Sequence, residues 1–113
     1  MQRGDFNISL ASWYPDFDDV VTYADLLASY NANNAGGYIN PEYDRWLEVL
    51  LTSNHARTRM SASDKLQKII IEDVPVLPLA ETGSAYVQHP KLKGVVRRVL
   101  GPDPDYTFAR VVE

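Results

Sequence analysis

The chain has 113 residues, 45% of them apolar and 23% charged, the balance of one folded domain with one core. Its net charge of −4 disfavours a general nucleic-acid-binding role, and no nucleic-acid partner is expected. It has no cysteine, which excludes disulfides, thiolate metal sites and cysteine nucleophiles, and no apolar run near the roughly 20 residues that cross a bilayer.

The polar start, MQRGDF, carries no signal-peptide pattern and enters a strand at once, so the chain is expected to be cut from something longer. Phe6, Ile8 and Leu10 alternate with Asn7, Ser9 and Ala11, the period-2 mark of a half-buried strand beginning at Asp5. Trp13-Tyr14-Pro15-Asp16 breaks it, because proline has no N–H for a ladder. Two aromatics and a carboxylate are thereby held on a loop at a strand end, a common place for ligands in open α/β sheets. Asp16, Asp18 and Asp19 precede an apolar-periodic run, and Asp18 and Asp19 suit a helix N-terminus electrostatically. Val20, Tyr23, Ala24, Leu27 and Tyr30 predict a helix over about 19–30 with those residues inward.

Asn31 to Tyr38 reads as a connector whose Gly36-Gly37 pair would also let a ligand approach the main chain. Asn40-Pro41 is a strong helix start, and Tyr43, Trp46, Leu47, Leu50 and Leu51 form an apolar stripe, predicting a helix over 41–52. A further helix is expected over 57–72, with Met60, Ser63, Leu66, Ile69 and Ile70 inward, ending before the restricted Val74-Pro75 pair. Two prolines in Val74–Leu79 favour an edge strand or a crossover. Short strands are expected at 84–88, 95–100 and 106–111, with a stiff turn at 101–105. Lys91, Lys93, Arg97 and Arg98 read as a solvated face. The composition shift after residue 75 divides the chain into 1–75 and 76–113.

Neither histidine lies in a catalytic or metal-ligating pattern, and no G-x-S-x-G, calcium loop or phosphate loop is present. No catalytic residue, metal ligand or cofactor is expected. An acid/base hydrolase acting on carbohydrate with Asp16 and Asp18 or Asp19 is one alternative reading, and a stand-alone protein-interaction domain is another. A binding surface fits more easily, since Trp13, Tyr14 and Asp16 bring aromatic area and a cation partner together and a strand end offers backbone groups to an extended peptide.

Four segments taken together, GDFNISLASWYPDFDD, NNAGGYINPEYDRWLEVLL, DKLQKIIIEDVPVLPLAE and HPKLKGV, resemble the C-terminal quarter of the solute-binding proteins of oligopeptide, dipeptide and nickel ABC importers, the family 5 extracellular solute-binding proteins. The resemblance implies an α/β fold, a fragment of a two-lobe periplasmic-binding-protein-like architecture read here as β-α-α-α followed by short strands. Residues 1–75 would be part of the C-terminal ligand-binding lobe, and 76–113 the hinge crossover and strands returning toward the N-terminal lobe. It further implies an extracytoplasmic, non-enzymatic protein that hands a peptide ligand to an importer permease and meets the membrane only through an N-terminal part. By the same resemblance the backbone of Ser12 to Tyr14 would pair with a bound peptide, Trp13 would border the channel and Asp16 would ion-pair with the α-amino group. A basic residue that contacts the peptide carboxylate in some members is Leu10 here, so that clamp is absent. Edge strands in 79–113 would lack their partner sheet, and self-association of the chain is expected.

Overall fold

A computed structural model describes residues 6–83, 85–98, 100 and 104–113. Its elements in order are α1, Val21–Ala24, continued by a 3₁₀ turn over Asp25–Leu27; α2, Pro41–Thr52; α3, Ala56–Asp73; and two short strands, β1, Leu92–Lys93, and β2, Arg110–Val111. Helices and a short strand pair make a small α/β arrangement. The chain divides into two compact units, one ending at Leu77 and one beginning at Pro78.

The helical unit is organised by α2. Asn40 caps it with extended backbone, its Oδ1 accepting from the N–H of Glu42 at 2.9 Å and of Tyr43 at 3.2 Å, and Pro41 fills the first helical position where no N–H is needed. The stripe then buries Tyr43, Leu47 and Leu50 completely. They pack against Ala62, Leu66 and Ile69 of α3 and against Ala24, Leu27 and Ala28, with Trp46 lying half-buried alongside. The Tyr43 hydroxyl donates to the Ala24 carbonyl at 2.7 Å, so the one polar side-chain atom among these three buried residues is satisfied inside the core. Burial raises the Tyr43 pKa.

Four expectations need correction. First, Phe6 to Ser12 form no ladder among the described residues, and Ile8 and Leu10 are 93% and 80% exposed. A strand needs a neighbouring edge for its N–H and C=O groups, and among the described residues none pairs with this segment; Asp5 falls outside the described residues.

Second, the helix expected over 19–30 is regular only over 21–27. Ala28 is extended because side chains beyond it take over the backbone hydrogen bonds. Asp44 accepts from the Ser29 N–H at 3.0 Å and its hydroxyl at 2.5 Å, and Asn31 Nδ2 donates to the Asp25 carbonyl at 2.8 Å. Its inner face carries Thr22 rather than Tyr23.

Third, α3 extends one residue beyond the expected span at each end and buries Ala62, Leu66 and Ile69 but leaves Met60 68% exposed. It stops at Val74, which adopts a left-handed conformation (φ 49°, ψ 50°) while its N–H caps the Ile70 carbonyl at 2.9 Å. A β-branched residue is strained there.

Fourth, the last third pairs differently from expectation. Residues 85–88 form no strand, Ser84 lies outside the described residues, and nothing over 74–79 is laddered. The antiparallel pair matches Leu92 with Val111 and Lys93 with Arg110, and a single bridge joins Val96 to Asp105. The expected strands at 95–100 and 106–111 thus shrink to that bridge and to two paired residues, with Val99 outside the description. Gly94 explains the switch. At φ 79° it lets the chain turn against the Phe108 carbonyl, which would lie 2.0 Å from any Cβ at this position. Gly101, Pro102 and Asp103 of the expected turn are outside the described residues.

The Asn-rich connector is braced rather than open. Asn34 accepts from the Tyr38 N–H at 3.0 Å and donates from Nδ2 to the carbonyls of Tyr38 and Ala28 at 2.7 and 3.2 Å. These bonds fix the approach to Asn40. There Asn40 Nδ2 and the Tyr38 hydroxyl both donate to Oδ2 of Asp73, at 2.8 and 2.5 Å. One asparagine side chain therefore serves the start of α2 and the end of α3.

Candidate ligand-binding site

The loop entering α1 is assembled from short-range hydrogen bonds. The Asp16 N–H donates to Oγ1 of Thr22 at 3.0 Å. The Asp19 N–H donates to the Phe17 carbonyl at 2.9 Å, and Asp19 Oδ1 accepts from the Val21 N–H at 3.0 Å. Asp19 thus lies just ahead of the short helix with a carboxylate oxygen on its first N–H, in keeping with the carboxylates expected at this helix start. Its other oxygen faces Nη2 of Arg59 on α3 at 2.5 Å, and Arg59 Nη1 donates to the Leu50 carbonyl near the end of α2 at 2.5 Å. The loop is thus pinned at Asp19 to α2 and α3, and at Asp16 to α1.

The residues singled out from the sequence lie just ahead of these pins. Ser12, Trp13, Tyr14 and Asp16 are all exposed, Trp13 at 39% and Tyr14 at 68%. Phe17 adds a third exposed aromatic ring. Residues 9–15 carry no regular backbone pairing. Among the described residues, the carboxylates of Asp16 and Asp18 make no hydrogen bond or ion pair, whereas that of Asp19 is fully engaged. The four residues therefore share one surface segment, and among the described residues neither the backbone of Ser12 to Tyr14 nor the Asp16 carboxylate is committed elsewhere.

Two surface hollows lie away from this segment. One, about 450 Å³, is lined by Tyr30, Asp44, Arg45 and Glu48 among others; the second, about 390 Å³, lies beside Asp19, Arg59 and Met60. No cluster of three or more metal-ligating side chains exists among the described residues. None of the described helices is long and apolar enough to cross a membrane.

The positioning roles of Thr22 and Arg59 were not visible in the sequence. Thr22 bonds six residues back and Arg59 reaches forty residues away, so neither falls on a helical or strand period. The only local signal is a threonine one turn inside a run opened by carboxylates.

No family model matches the chain. A murein peptide-binding protein of Escherichia coli is 31% identical over 91 residues, 80% of this chain and 17% of that protein. Structurally, 99% of the chain superposes on 21% of the pheromone receptor PrgZ, solved for its mode of peptide binding, with a TM-score of 0.83 and 28% identity. The substrate-binding domain of an oligopeptide ABC transporter from Bacillus anthracis matches at a TM-score of 0.79 and 30% identity, over 89% of this chain and 20% of that one. The chain is similar to a segment of each of these peptide-binding proteins. It spans about a fifth of the length of the relatives it matches.

Proposed function

We propose that this chain supplies part of the ligand-recognition surface of an extracytoplasmic solute-binding protein that captures peptides and passes them to the permease of an ABC importer. The observation that carries the reading is the superposition of nearly the whole chain on a peptide-binding receptor. The free backbone at 12–14 and the open Asp16 carboxylate agree with it chemically.

In this reading the N–H and C=O groups of Ser12 to Tyr14 pair with the main chain of an extended peptide, which gives affinity without reading side chains. Trp13 forms the wall over which the ligand's first side chains lie, and Asp16 accepts the charged amino terminus. Residues 1–75 belong to the ligand-binding lobe, and 76–113 carry the chain back across the hinge. Binding alone requires no nucleophile or base, and the protein is not an enzyme. The segment associates with itself when its exposed edges are left without partners.

The test uses the longer protein that contains this segment. Asp16→Asn should weaken a tripeptide with a free amino terminus by about 1.5–3 kcal/mol, the scale of a hydrogen bond to a charged group. The N-acetylated tripeptide should bind wild type and variant alike. Equal losses for both peptides would remove Asp16 from the role.

A further inference from the structure

We infer that Thr22 is the positioning residue of the peptide site: its buried hydroxyl holds the Asp16 main chain, and thereby sets where the Asp16 carboxylate and the Trp13 ring stand. The inference rests on the peptide-binding reading and extends it to a side chain that touches no ligand.

Thr22 is the one polar residue in the described core, only 6% exposed on the inner face of α1. A helical side chain leans back toward the N-terminus of its helix, which aims Oγ1 at the incoming loop. There it accepts the Asp16 N–H at 3.0 Å, in a partly buried contact. A valine would fill the same volume and leave that donor without its acceptor, so burial alone does not account for a threonine here. The anchor is stiff at its other end. The Thr22 N–H donates to the Asp19 carbonyl at 3.1 Å, and Asp19 is held by Arg59, which also grips the Leu50 carbonyl. The chain of contacts runs from the α2–α3 core through Arg59 and Asp19 to α1, and from Thr22 out to Asp16. Upstream of Asp16, residues 9–15 have no regular pairing of their own. Among the described residues, Thr22 is therefore the last hydrogen-bonded anchor before Ser12 to Tyr14.

Amide hydrogen exchange on the 113-residue chain tests the tether without any ligand. In wild type the Asp16 amide should exchange more slowly than those of Trp13 and Tyr14, relative to their intrinsic rates. Thr22→Val should speed Asp16 exchange about fivefold or more while α2 amides keep their protection, and Thr22→Ser, which keeps the acceptor, should restore it. Equal protection of Asp16, Trp13 and Tyr14 in wild type would overturn the inference even if the valine variant failed to fold. In the longer protein, Thr22→Val should weaken trialanine about fivefold and Thr22→Ser should not. Weakening by Asp16→Asn without weakening by Thr22→Val would sink the positioning role alone. Trialanine binding indifferent to both, with the exchange result intact, would sink the peptide-site reading and leave only the tether.

Discussion

At the scale of single residues, the end of α3 is held by an arrangement whose strength depends on pH. The Asp73 carboxyl lies at the unfavourable end of the helix dipole. It is held below the ordinary carboxylate range of 3.8 by hydrogen bonds from Tyr38 and then Asn40. Burial, and then the hydrogen bond to Asp73, push Tyr38 from 10.0 up to about 12. The signs differ. A depressed carboxyl contributes stability that is present above its unfolded pKa and lost as pH falls through the folded one. A raised phenol contributes stability that is present below its unfolded pKa and lost as pH climbs from about 10 toward about 12. The stability difference between wild type and Tyr38→Phe should therefore be level across the neutral range. It should shrink below about pH 4 and again above about pH 10. Urea titrations at a series of pH values measure it, and a difference that stays constant into acid and alkali would show that the contact is not formed. Val74, the next residue, is held in its strained conformation directly beside this cluster.

At the scale of elements, legibility followed locality. α2 was read to the residue because everything that makes it is local: an Asn cap, a Pro at the first position, and a stripe at helical spacing. α1 was overextended because Asp44, fifteen residues downstream, captures Ser29 and ends the helix from outside. The opening strand was legible as a pattern but not as a ladder, since alternation says which face is apolar and nothing about whether an edge lies alongside. Of the candidate site, Ser12, Trp13, Tyr14 and Asp16 do lie together on one exposed segment. What fixes that segment came from a contact six residues apart and another forty residues apart, neither with a periodic signature. The late strands were misplaced because a glycine set their register. Gly94→Ala should abolish amide protection at Val96, Asp105 and Val112 while leaving α2 protected, because the added methyl meets the Phe108 carbonyl. Exchange mapped by NMR reads this directly, and preserved protection at those three amides would refute the steric account.

At the scale of the whole molecule, the apolar core belongs to one unit. Every buried apolar residue among those described lies between Ala24 and Ile69, and none lies beyond Leu77. The second unit rests instead on its short strand pair, a bridge and side-chain contacts such as the Arg97 guanidinium 3.6 Å from the Tyr86 ring centre. Large apolar side chains stand in solvent in both units, Ile8, Leu10, Val87 and Phe108 among them. A chain with so much uncovered apolar surface should sediment as a concentration-dependent mixture, its average mass rising as it is concentrated. A single monomer boundary across a hundredfold range of concentration would contradict this.

The doubly used Asn40 has a consequence for how the protein ages. Spontaneous deamidation of an asparagine proceeds by attack of the next residue's backbone nitrogen on the side-chain amide, closing a succinimide ring. Conversion of Asn40 to aspartate would replace the Nδ2 donor with a second carboxylate oxygen facing Asp73. The following residue is Pro41, whose nitrogen bears no hydrogen and cannot close that ring. The proline that starts α2 thus also guards its cap from the commonest chemical lesion of asparagine, at the one position where that lesion would set two negative charges against each other across the ends of both long helices.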